Sequence, residues 1–273
     1  MISERSNRNE QVVADEVTIA VVIVGRNSAR FISEMMDSLV NQVDAPDEII
    51  YYDDGSTDHS IEILEAYQKR LPQLEVISGQ GHIGISAARN FSNSLVKSRF
   101  IAVLDSDDYF LPDTIARYRK SLRKDSDIAL LYADTLVFRD GSSHVRRLRY
   151  PSFIDGAQAT RCLMTRPVLP FKHSSVVYRK SAFDKIGGYC ENLPLKVDYD
   201  LFVRFWKSGS KVRKLDAATS HHRTHSGQIS KERIRGILLY WEIIDRHEPR
   251  FFYSFSFKLI RAFSEIAKLV LRR

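Results

Sequence analysis

Apolar residues in the first half of the chain alternate between a spacing typical of strands and one typical of helices. Residues 17–24 are almost all apolar and mostly β-branched, which predicts a strand buried on both faces. Further strands are predicted at 48–52, 74–77 and 99–104, and the segments between them have helical spacing, as in 85–97. This alternation predicts an α/β fold with a mostly parallel central sheet flanked by helices.

The alternation loosens after Pro112. Strand-like runs follow at 128–138 and 176–178, with a hairpin return over 144–150 and an amphipathic helix over 198–208. No linker or internal repeat divides this region from the first. We therefore predict a flexible polar leader over residues 1–16, one domain over 17–230 with halves of about 17–112 and 113–230, and a helical tail over 231–273.

Composition and charge narrow the class of protein only in part. A hydrophobic fraction of 44% is enough for a sizeable core, and the net charge of +7 favours anionic partners such as nucleotide phosphates or anionic lipid. Basic residues are scattered or confined to the tail, which argues against nucleic-acid binding. Cys162 and Cys190 have neither metal-site nor disulfide spacing, and no long apolar run is present, so we expect a cytoplasmic protein.

Two acidic clusters follow predicted strands. Asp53 and Asp54 end one strand, and Asp105, Asp107 and Asp108 end another. Ligands of parallel sheets bind beyond the carboxyl ends of the strands, and clustered carboxylates repel one another unless a cation offsets them. Mg²⁺ takes one or two carboxylates together with substrate phosphates, so these clusters are candidates for a metal and nucleotide site.

Each cluster taken alone is equally typical of a structural turn. Asp and Ser favour loops, and Ser56 or Thr57 is a candidate cap for the helix that follows Asp53. Neither a phosphate loop of the Walker type nor a G-x-G-x-x-G fingerprint is present in the sequence.

Taken together, the motifs over about residues 17–230 resemble those of the family 2 glycosyltransferases, which have the GT-A fold. The resemblance depends on shared order and spacing, because each motif is weak alone. The matching stretches are Val21-Val-Ile-Val-Gly-Arg-Asn27, Asp53-Asp-Gly-Ser-Thr-Asp58, Gly84-Ile-Ser-Ala-Ala-Arg-Asn90, Leu104-Asp-Ser-Asp-Asp108, Val197-Asp-Tyr-Asp-Leu201 and His222-Arg-Thr-His225.

The resemblance implies a role for each matching position. The implied nucleotide-binding residues are Val24, Gly25, Asn27, Asp53, Asp54, Arg89, Asp105 and Asp107. Among them, Asp54 is expected to accept a hydrogen bond from the base, and Asp53 to support the turn. Asp107, Asp108 and His225 are the expected ligands of a divalent Mg²⁺ or Mn²⁺ ion, with Arg223 and His225 on a late loop over the diphosphate. Asp198 is the expected general base.

Two positions depart from the family pattern. The residue before Asn27 is usually aromatic in the family, whereas this chain has Arg26, which leaves the identity of the base open. The family often has Glu-Asp at the base motif, whereas this chain has Val197-Asp198, so Asp200 is a rival for the catalytic role. We favour Asp198, because Asp200 is placed to pair with Arg204 one helical turn away.

The predicted activity is inverting transfer of a sugar, most simply from a UDP-sugar, to an acceptor hydroxyl in bacterial-type cell-surface polysaccharide or glycolipid assembly. The acceptor would be a saccharide or a lipid-linked saccharide. Two alternatives remain open at this point, namely a sugar-phosphate nucleotidyltransferase and an inactive scaffold that binds a nucleotide sugar. The first usually needs a basic, glycine-rich phosphate loop, and residues 24–28 are short for that purpose.

The tail from Arg250 carries six basic residues and one acid. If it is helical, one narrow polar stripe holds Lys258, Arg261, Glu265, Lys268 and Arg272, and apolar residues cover most of the rest. Residues 250–273 would then lie on an anionic membrane surface, at the inner face of the cell membrane, with their cations near the headgroups. The alternative is a helix that packs on the parent domain or on a partner chain.

Overall fold

The computed structural model describes residues 16–165, 171–225 and 233–271. The predicted leader lies, apart from Glu16, outside these residues, as does the predicted boundary at residue 230. The strands are β1 (Ile19–Gly25), β2 (Glu48–Asp53), β3 (Leu74–Ser78), β4 (Phe100–Asp105), β5 (Tyr109–Phe110), β6 (Leu130–Arg139), β7 (Val145–Leu148), β8 (Val176–Arg179) and β9 (Val212–Thr224). The helices are α1 (Ala29–Val40), α2 (Ser60–Gln68), α3 (Ile85–Leu95), α4 (Thr114–Lys124), α5 (Gly156–Thr165), α6 (Lys180–Lys185), α7 (Val197–Lys207), α8 (Arg233–His247) and α9 (Phe251–Leu271).

The first half of the sheet is parallel, as the apolar pattern predicts. Strands β3, β2, β1 and β4 lie side by side in that order, and every residue of β1 is buried because helices cover both of its faces. Each predicted strand of this half is present to within two residues. The predicted cap is wrong: α2 begins at Ser60, whose N–H donates to Asp58 (3.1 Å), because Ser56 is turned towards Asp53 and the first loop.

The second half is mixed rather than mostly parallel. Strand β8 pairs antiparallel with both β4 and β6, and β6 in turn pairs parallel with β9. The predicted hairpin is confirmed, since β7 returns antiparallel along β6. The sequence pattern missed β9 altogether, because this strand alternates charged and small residues and is only partly buried.

The helix α7 shows how the second half joins the hydrophobic core on one face of the sheet, which includes Ala20, Ile50 and Ile101 of the first half. Leu201, Phe202 and Phe205 are completely buried against α5, α8 and the sheet. Burial of each such side chain contributes roughly 1.5–3 kcal/mol relative to exposure. This packing sets the position of the amino-terminal turn of α7, which holds Asp198.

The tail is helical, as predicted, but part of its polar stripe faces the protein. Arg261 is completely buried, and Lys258 donates to Asp245 of α8 (2.5 Å). A guanidinium is amphipathic enough to be buried when aromatic rings and a carbonyl surround it, which the stripe pattern alone does not reveal. Large side chains point outwards instead, including Tyr253, Leu259 and Phe263. Within the described residues, none of the helices has the length and apolar character that a membrane span requires.

Candidate active site

The ends of three parallel strands bring the predicted motifs together. In the sheet register, Gly25 at the end of β1 pairs with Asp53 of β2, and Val24 pairs with Asp105 of β4. The two acidic clusters therefore flank the end of β1, on the edge where parallel α/β sheets bind ligands. A Cβ atom at Gly25 would lie 1.9 Å from the Tyr51 hydroxyl, so only glycine fits there.

The turn after β2 holds the turn after β1. The carboxylate of Asp53 is buried and accepts hydrogen bonds from the N–H (2.7 Å) and the hydroxyl of Ser56. Ser56 Oγ accepts from the N–H of Asn27 (2.8 Å), and Asn27 Oδ1 accepts from the N–H of Thr57 (2.8 Å). Asn27 has a left-handed backbone (φ 52°), which Asn tolerates better than most residues, and its side chain is exposed at the mouth of the site.

Asp54 is fully engaged by the loop that precedes α3. Its Oδ1 accepts from the N–H of Ile83 (2.7 Å), and its Oδ2 accepts from the N–H of Gly84 (3.1 Å). Oδ2 also lies 2.7 Å from Nδ1 of His82. A base that binds Asp54 must therefore share or displace these contacts. The φ angle of Gly84 is 90°, a conformation in which a side chain would be strained.

The turn from β4 to β5 connects two distant places in the sheet. Strand β5 pairs antiparallel with β9, so residues 106–108 join the middle of the sheet to its edge. Asp108 is buried in this turn and is engaged on both oxygens. Its Oδ1 accepts from the N–H of Arg223 (2.9 Å), while Oδ2 accepts from the Ser174 hydroxyl (2.5 Å) and lies 3.1 Å from Nδ1 of His222. This geometry is that of an anchor between β4, β8 and β9.

Asp107 lies on the more open side of the same turn. Its Oδ2 is 3.0 Å from Nε2 of His225, which lies directly after β9. Burial raises the pKa of the Asp107 carboxyl, and the charges of Asp108 and Asp105 raise it further, against smaller lowering effects of His225 and His222. A carboxylate held among like charges favours a bound cation.

The residues present fit a divalent cation that binds together with a nucleotide. Over residues 16–165, 171–225 and 233–271, no three His, Cys, Asp or Glu side chains are grouped to hold a metal ion by themselves. Mg²⁺ in nucleotide sites usually has only one or two protein carboxylates and takes its other ligands from phosphate and water. Asp107 and His225 fit that smaller set, whereas both oxygens of Asp108 already have protein partners.

Asp105 differs from Asp107 in having a cationic partner. The guanidinium of Arg89 on α3 donates to its Oδ1 (2.6 Å), and Nδ1 of His173 lies 3.5 Å from the same atom. Burial alone would raise the pKa of Asp105, but Arg89 and His173 hold it well below its usual range. Asp105 is therefore a fixed negative charge at the centre of the site.

Asp198 is related to these residues by the effect of its charge on Arg89. It lies in the first turn of α7, half-buried, and its Oδ1 accepts from the N–H of Tyr199 (2.9 Å). Burial by itself lowers the pKa of Arg89. The charges of Asp105, Tyr189 and Asp198 have the larger effect, so the pKa of Arg89 is raised overall. The rival Asp200 has a structural setting, because it is 1% exposed and pairs with Arg204 (2.8 Å), as predicted from the spacing.

Arg223 lies at the end of β9, and its side chain binds residues of α1 and of the β6–β7 turn. Its guanidinium pairs with Glu34 of α1 and with Asp140 (2.9 Å). It also stacks on the rings of Phe138 and Phe31, 4.8 and 5.1 Å from their centroids. The resemblance predicts a late loop for Arg223, whereas it lies in strand β9, where its charge is paired with α1 and the β6–β7 turn; its role towards a diphosphate stays a prediction. The contacts fix the neighbouring His222 and His225.

Several residues of the site had little or no signal in the sequence. Ser174 and Glu34 contact the motifs only through the tertiary fold. Asn90 was part of a motif without a role, and its amide donates to the carbonyl of Tyr189 (2.9 Å) and accepts from the N–H of that residue (2.8 Å). The sequence signal there is the run of three polar residues, 173–175, directly before an apolar strand; the structure shows that all three are buried.

Comparison with known proteins finds a matching family model, relatives in sequence and solved structures of similar fold. The family model described as Glycosyl transferase family 2 matches residues 20–187, which include both acidic clusters. The hyaluronan synthase of Pasteurella multocida is 27% identical over 217 residues, an alignment that covers 79% of this chain and 21% of the synthase. This chain thus spans about a fifth of the length of that relative.

Solved structures share the fold. TarS 1–349 of S. aureus in complex with UDP-GlcNAc has a TM-score of 0.67 at 19% identity, with 90% of this chain and 71% of that chain covered. Mannosyltransferase PcManGT of Pyrobaculum calidifontis in complex with GDP-Man and Mn²⁺ has a TM-score of 0.63 at 15% identity, with 84% and 63% covered. The fold predicted from the motifs is confirmed by these likenesses.

Proposed function

Because this chain belongs to glycosyl transferase family 2 and is a glycosyltransferase of the GT-A fold, we propose that it transfers a sugar from UDP to an acceptor hydroxyl with inversion at the anomeric carbon. One observation carries the proposal. Asp53 and Asp105 flank the end of β1, Asp107 meets His225 in the turn after β4, and the charge of Asp198 acts on Arg89, which pairs with Asp105. The proposed place for the nucleotide diphosphate is among these carboxylates.

The donor would lie across the ends of β1, β2 and β4. Val24, Gly25 and Asn27 line the first turn, and Asp53 holds that turn in place through Ser56. Asp54 is the proposed acceptor for the base, and its present partners in residues 82–84 would rearrange around a bound nucleotide. UDP is our choice of donor because Asp54 accepts N–H donors and the fold neighbour TarS is described with UDP-GlcNAc.

Arg89, Asp105, Asp107 and His225 would serve the ribose and diphosphate. The chemistry that Mg²⁺ or Mn²⁺ supplies in such a site is neutralisation of the charge on the departing diphosphate. Asp107 and His225 are the proposed protein ligands, and Asp108 supports them by holding β9 against the turn. The neighbour PcManGT is described with Mn²⁺, which supports a divalent cofactor.

Asp198 is the proposed general base. It would take the proton of the acceptor hydroxyl while the hydroxyl oxygen forms a bond to the anomeric carbon. The bond from that carbon to the diphosphate oxygen breaks on the opposite face, and UDP leaves. A saccharide or lipid-linked acceptor in cell-surface polysaccharide assembly is proposed on the likeness to hyaluronan synthase.

Nucleotide binding tests the donor assignment directly. In a thermal-shift panel of UDP, GDP, CDP and ADP, each with and without Mn²⁺, we expect UDP with Mn²⁺ to raise Tm most. A ligand at 100 times its Kd stabilises the native state by about 2.7 kcal/mol. A larger shift with another base would contradict UDP, and equal shifts without Mn²⁺ would contradict the metal.

Two alternatives are separated by their products. A sugar-phosphate nucleotidyltransferase would release diphosphate from UTP and a sugar 1-phosphate, whereas a transferase releases UDP from a UDP-sugar. The short turn at residues 25–28, closed by Ser56 and Ser60, disfavours the first alternative. An inactive scaffold would bind the donor without releasing UDP in the presence of any acceptor.

We further propose that the exposed face of α9 contacts an anionic membrane surface at the inner face of the cell membrane. Tyr253, Leu259 and Phe263 are 54%, 43% and 69% exposed, and the tail is strongly basic in sequence. Apolar side chains beside cations are typical of helices that lie in a membrane interface. Because Lys258 and Arg261 face the protein, the apolar side chains would make the main contact.

Vesicle flotation checks the membrane proposal. Wild-type protein is expected to float with vesicles that contain phosphatidylglycerol, and Leu259→Ser combined with Phe263→Ser is expected to lower the bound fraction several-fold. Val43→Ser is a matched control, because Val43 is 78% exposed elsewhere on the molecule. Unchanged flotation of the double variant would contradict the proposal. Point substitutions are preferable to removal of residues 250–273, since Arg261 is part of the core.

A further inference from the structure

The two carboxy-terminal helices contact the residues on both sides of Asp198. Lys196, Tyr199 and Asp200 each meet a side chain of α8, while Asp198 lies close enough to Arg89 for its charge to act on that residue. The helices α8 and α9 lie beyond residue 187, where the family match ends. They contribute no strand and none of the site residues described above.

Two groups of contacts, or clamps, hold the start of α7. The first clamp is a stack of aromatic and cationic groups centred on Tyr240 of α8. The Arg261 guanidinium of α9 lies 3.5 Å from the Tyr240 ring centroid and 5.1 Å from that of Tyr199. The two rings meet edge to face with centroids 4.9 Å apart, and Nζ of Lys196 lies 5.3 Å from the Tyr240 centroid. Cation–π contacts are stronger when they are desolvated, as Arg261 and Tyr199 are here, so the stack restrains these residues.

The same stack is tied to α5 through one carbonyl group. The Arg261 guanidinium donates to the Leu163 carbonyl (2.9 Å), and the Tyr199 hydroxyl donates to it as well (2.6 Å). Tyr199 and Arg261 are both completely buried. The residue directly after Asp198 is therefore fixed against α5, α8 and α9 at once.

The second clamp holds Asp200. Its Oδ1 lies 2.8 Å from Nε2 of His247 at the end of α8, and its Oδ2 accepts from Arg204 of its own helix. The Lys207 ammonium donates to the carbonyl of His247 (2.6 Å), which fastens the other end of α7 to α8. Charge-assisted contacts of this kind restrict movement along and around the helix axis.

The backbone at the start of α7 needs such support. Lys196 caps the helix in a left-handed conformation (φ 62°), which is strained for a residue other than glycine. Strained turns persist where surrounding contacts determine them. The clamps on both sides of Asp198 supply those contacts.

We infer that Tyr240, His247 and Arg261 are positioning residues that hold Asp198 in line with the acceptor hydroxyl. This inference rests on the proposed function, because it assigns Asp198 as the base. A misplacement of about 1 Å can cost on the order of 10²-fold in rate, so loosening of this turn changes the chemical step. The donor residues lie on other elements, and donor binding is expected to remain.

The test compares Tyr240→Leu with Tyr240→Phe. Tyr240→Leu removes the ring that Lys196, Tyr199 and Arg261 share, whereas Tyr240→Phe keeps it. With a UDP-sugar, Mn²⁺ and a saccharide acceptor, we expect Tyr240→Leu to lower kcat about 10- to 100-fold with the Kd for UDP unchanged. Tyr240→Phe is expected to stay near the wild-type kcat. Leu238→Ala is the control, because Leu238 is 58% exposed on the same helix.

A second variant and a second measurement cover the case in which Tyr240→Leu does not fold. His247→Ala removes the partner of Asp200 and is expected to lower kcat in the same direction. Hydrogen exchange of residues 196–203 is expected to speed up in both variants while exchange in residues 19–25 stays unchanged. Folded variants with kcat within twofold of wild type and unaltered exchange at 196–203 would overturn the inference. Absence of transfer by the wild-type protein would instead contradict the proposed function, and the exchange data would still decide whether α8 and α9 restrain this turn.

Discussion

Replacing Asp198 with Asn is expected to lower kcat for sugar transfer by about 10²–10⁴-fold, which is the usual contribution of a general base. The amide cannot take the acceptor proton, although it has nearly the same shape and can still accept the N–H of Tyr199. Binding of UDP with Mn²⁺ is expected to remain, because Asp198 lies on α7 and the donor residues lie at the ends of β1, β2 and β4. Initial rates of UDP release, with acceptor present, together with the Kd for UDP give both quantities.

A comparison with a variant of the neighbouring carboxylate, Asp200, distinguishes a catalytic effect from a structural one. Asp200→Asn is expected to lower the free energy of unfolding by roughly 3–5 kcal/mol, because it disrupts a buried ion pair with Arg204 and His247. Asp198→Asn is expected to leave Tm nearly unchanged, as is the control Asp216→Asn, whose side chain is 95% exposed. Wild-type transfer by Asp198→Asn would remove Asp198 from the mechanism.

Asp107→Asn is expected to lower the rate of transfer by about 10²–10³-fold, comparable to loss of one group that stabilises developing charge. The Mn²⁺-dependent part of the UDP thermal shift is expected to disappear with it. In the metal-free protein the same substitution is expected to raise Tm slightly. The pKa of Asp107 is raised in the folded state by burial and by Asp108 and Asp105, so its ionised form opposes folding at neutral pH.

Asp108→Asn is the informative comparison, because it changes the adjacent carboxylate. The oxygens of Asp108 accept hydrogen bonds from the Ser174 hydroxyl and the Arg223 N–H and lie beside His222. Leaving a buried polar group without its partner lowers the free energy of unfolding by about 1–3 kcal/mol. Asp108→Asn should therefore lower the metal-free Tm, opposite in sign to Asp107→Asn. A destabilised Asp107→Asn that keeps its Mn²⁺-dependent shift would show that Asp107 is an anchor and not a ligand.

The first half of the fold could be predicted because its signals are local. An apolar, β-branched run such as residues 19–25 is typical of a strand in the middle of a sheet, where both of its faces are buried. Parallel strands end at one edge, so Asp53 and Asp105 had to lie near each other once the alternation of strands and helices was recognised. The remaining site positions, including Asp198, were predicted from the family motifs, and their roles stay predictions.

The second half could not be predicted in the same way. Strand β9 carries no apolar alternation, and its place between β6 and β5 depends on side chains such as Arg223 that bind partners far away in sequence. For the tail, periodicity predicts that the cations share a face but not what covers that face, so a membrane surface and the protein itself both stay possible covers. Arg261 finds two aromatic rings and a carbonyl, a site that exists only when α5, α7, α8 and α9 have packed.

The sequence by itself determined the parallel strands, the acidic residues at their ends and the family, because these depend on short-range periodicity and on motif spacing. Only the tertiary structure decided which of these carboxylates are enclosed by protein partners and which are more exposed. That distinction depends on long-range partners: the Arg223 N–H and the Ser174 hydroxyl hold Asp108, whereas Asp107 meets His225 at the mouth. Burial and charge act through space, and the same Asp side chain acquires a different role in each setting.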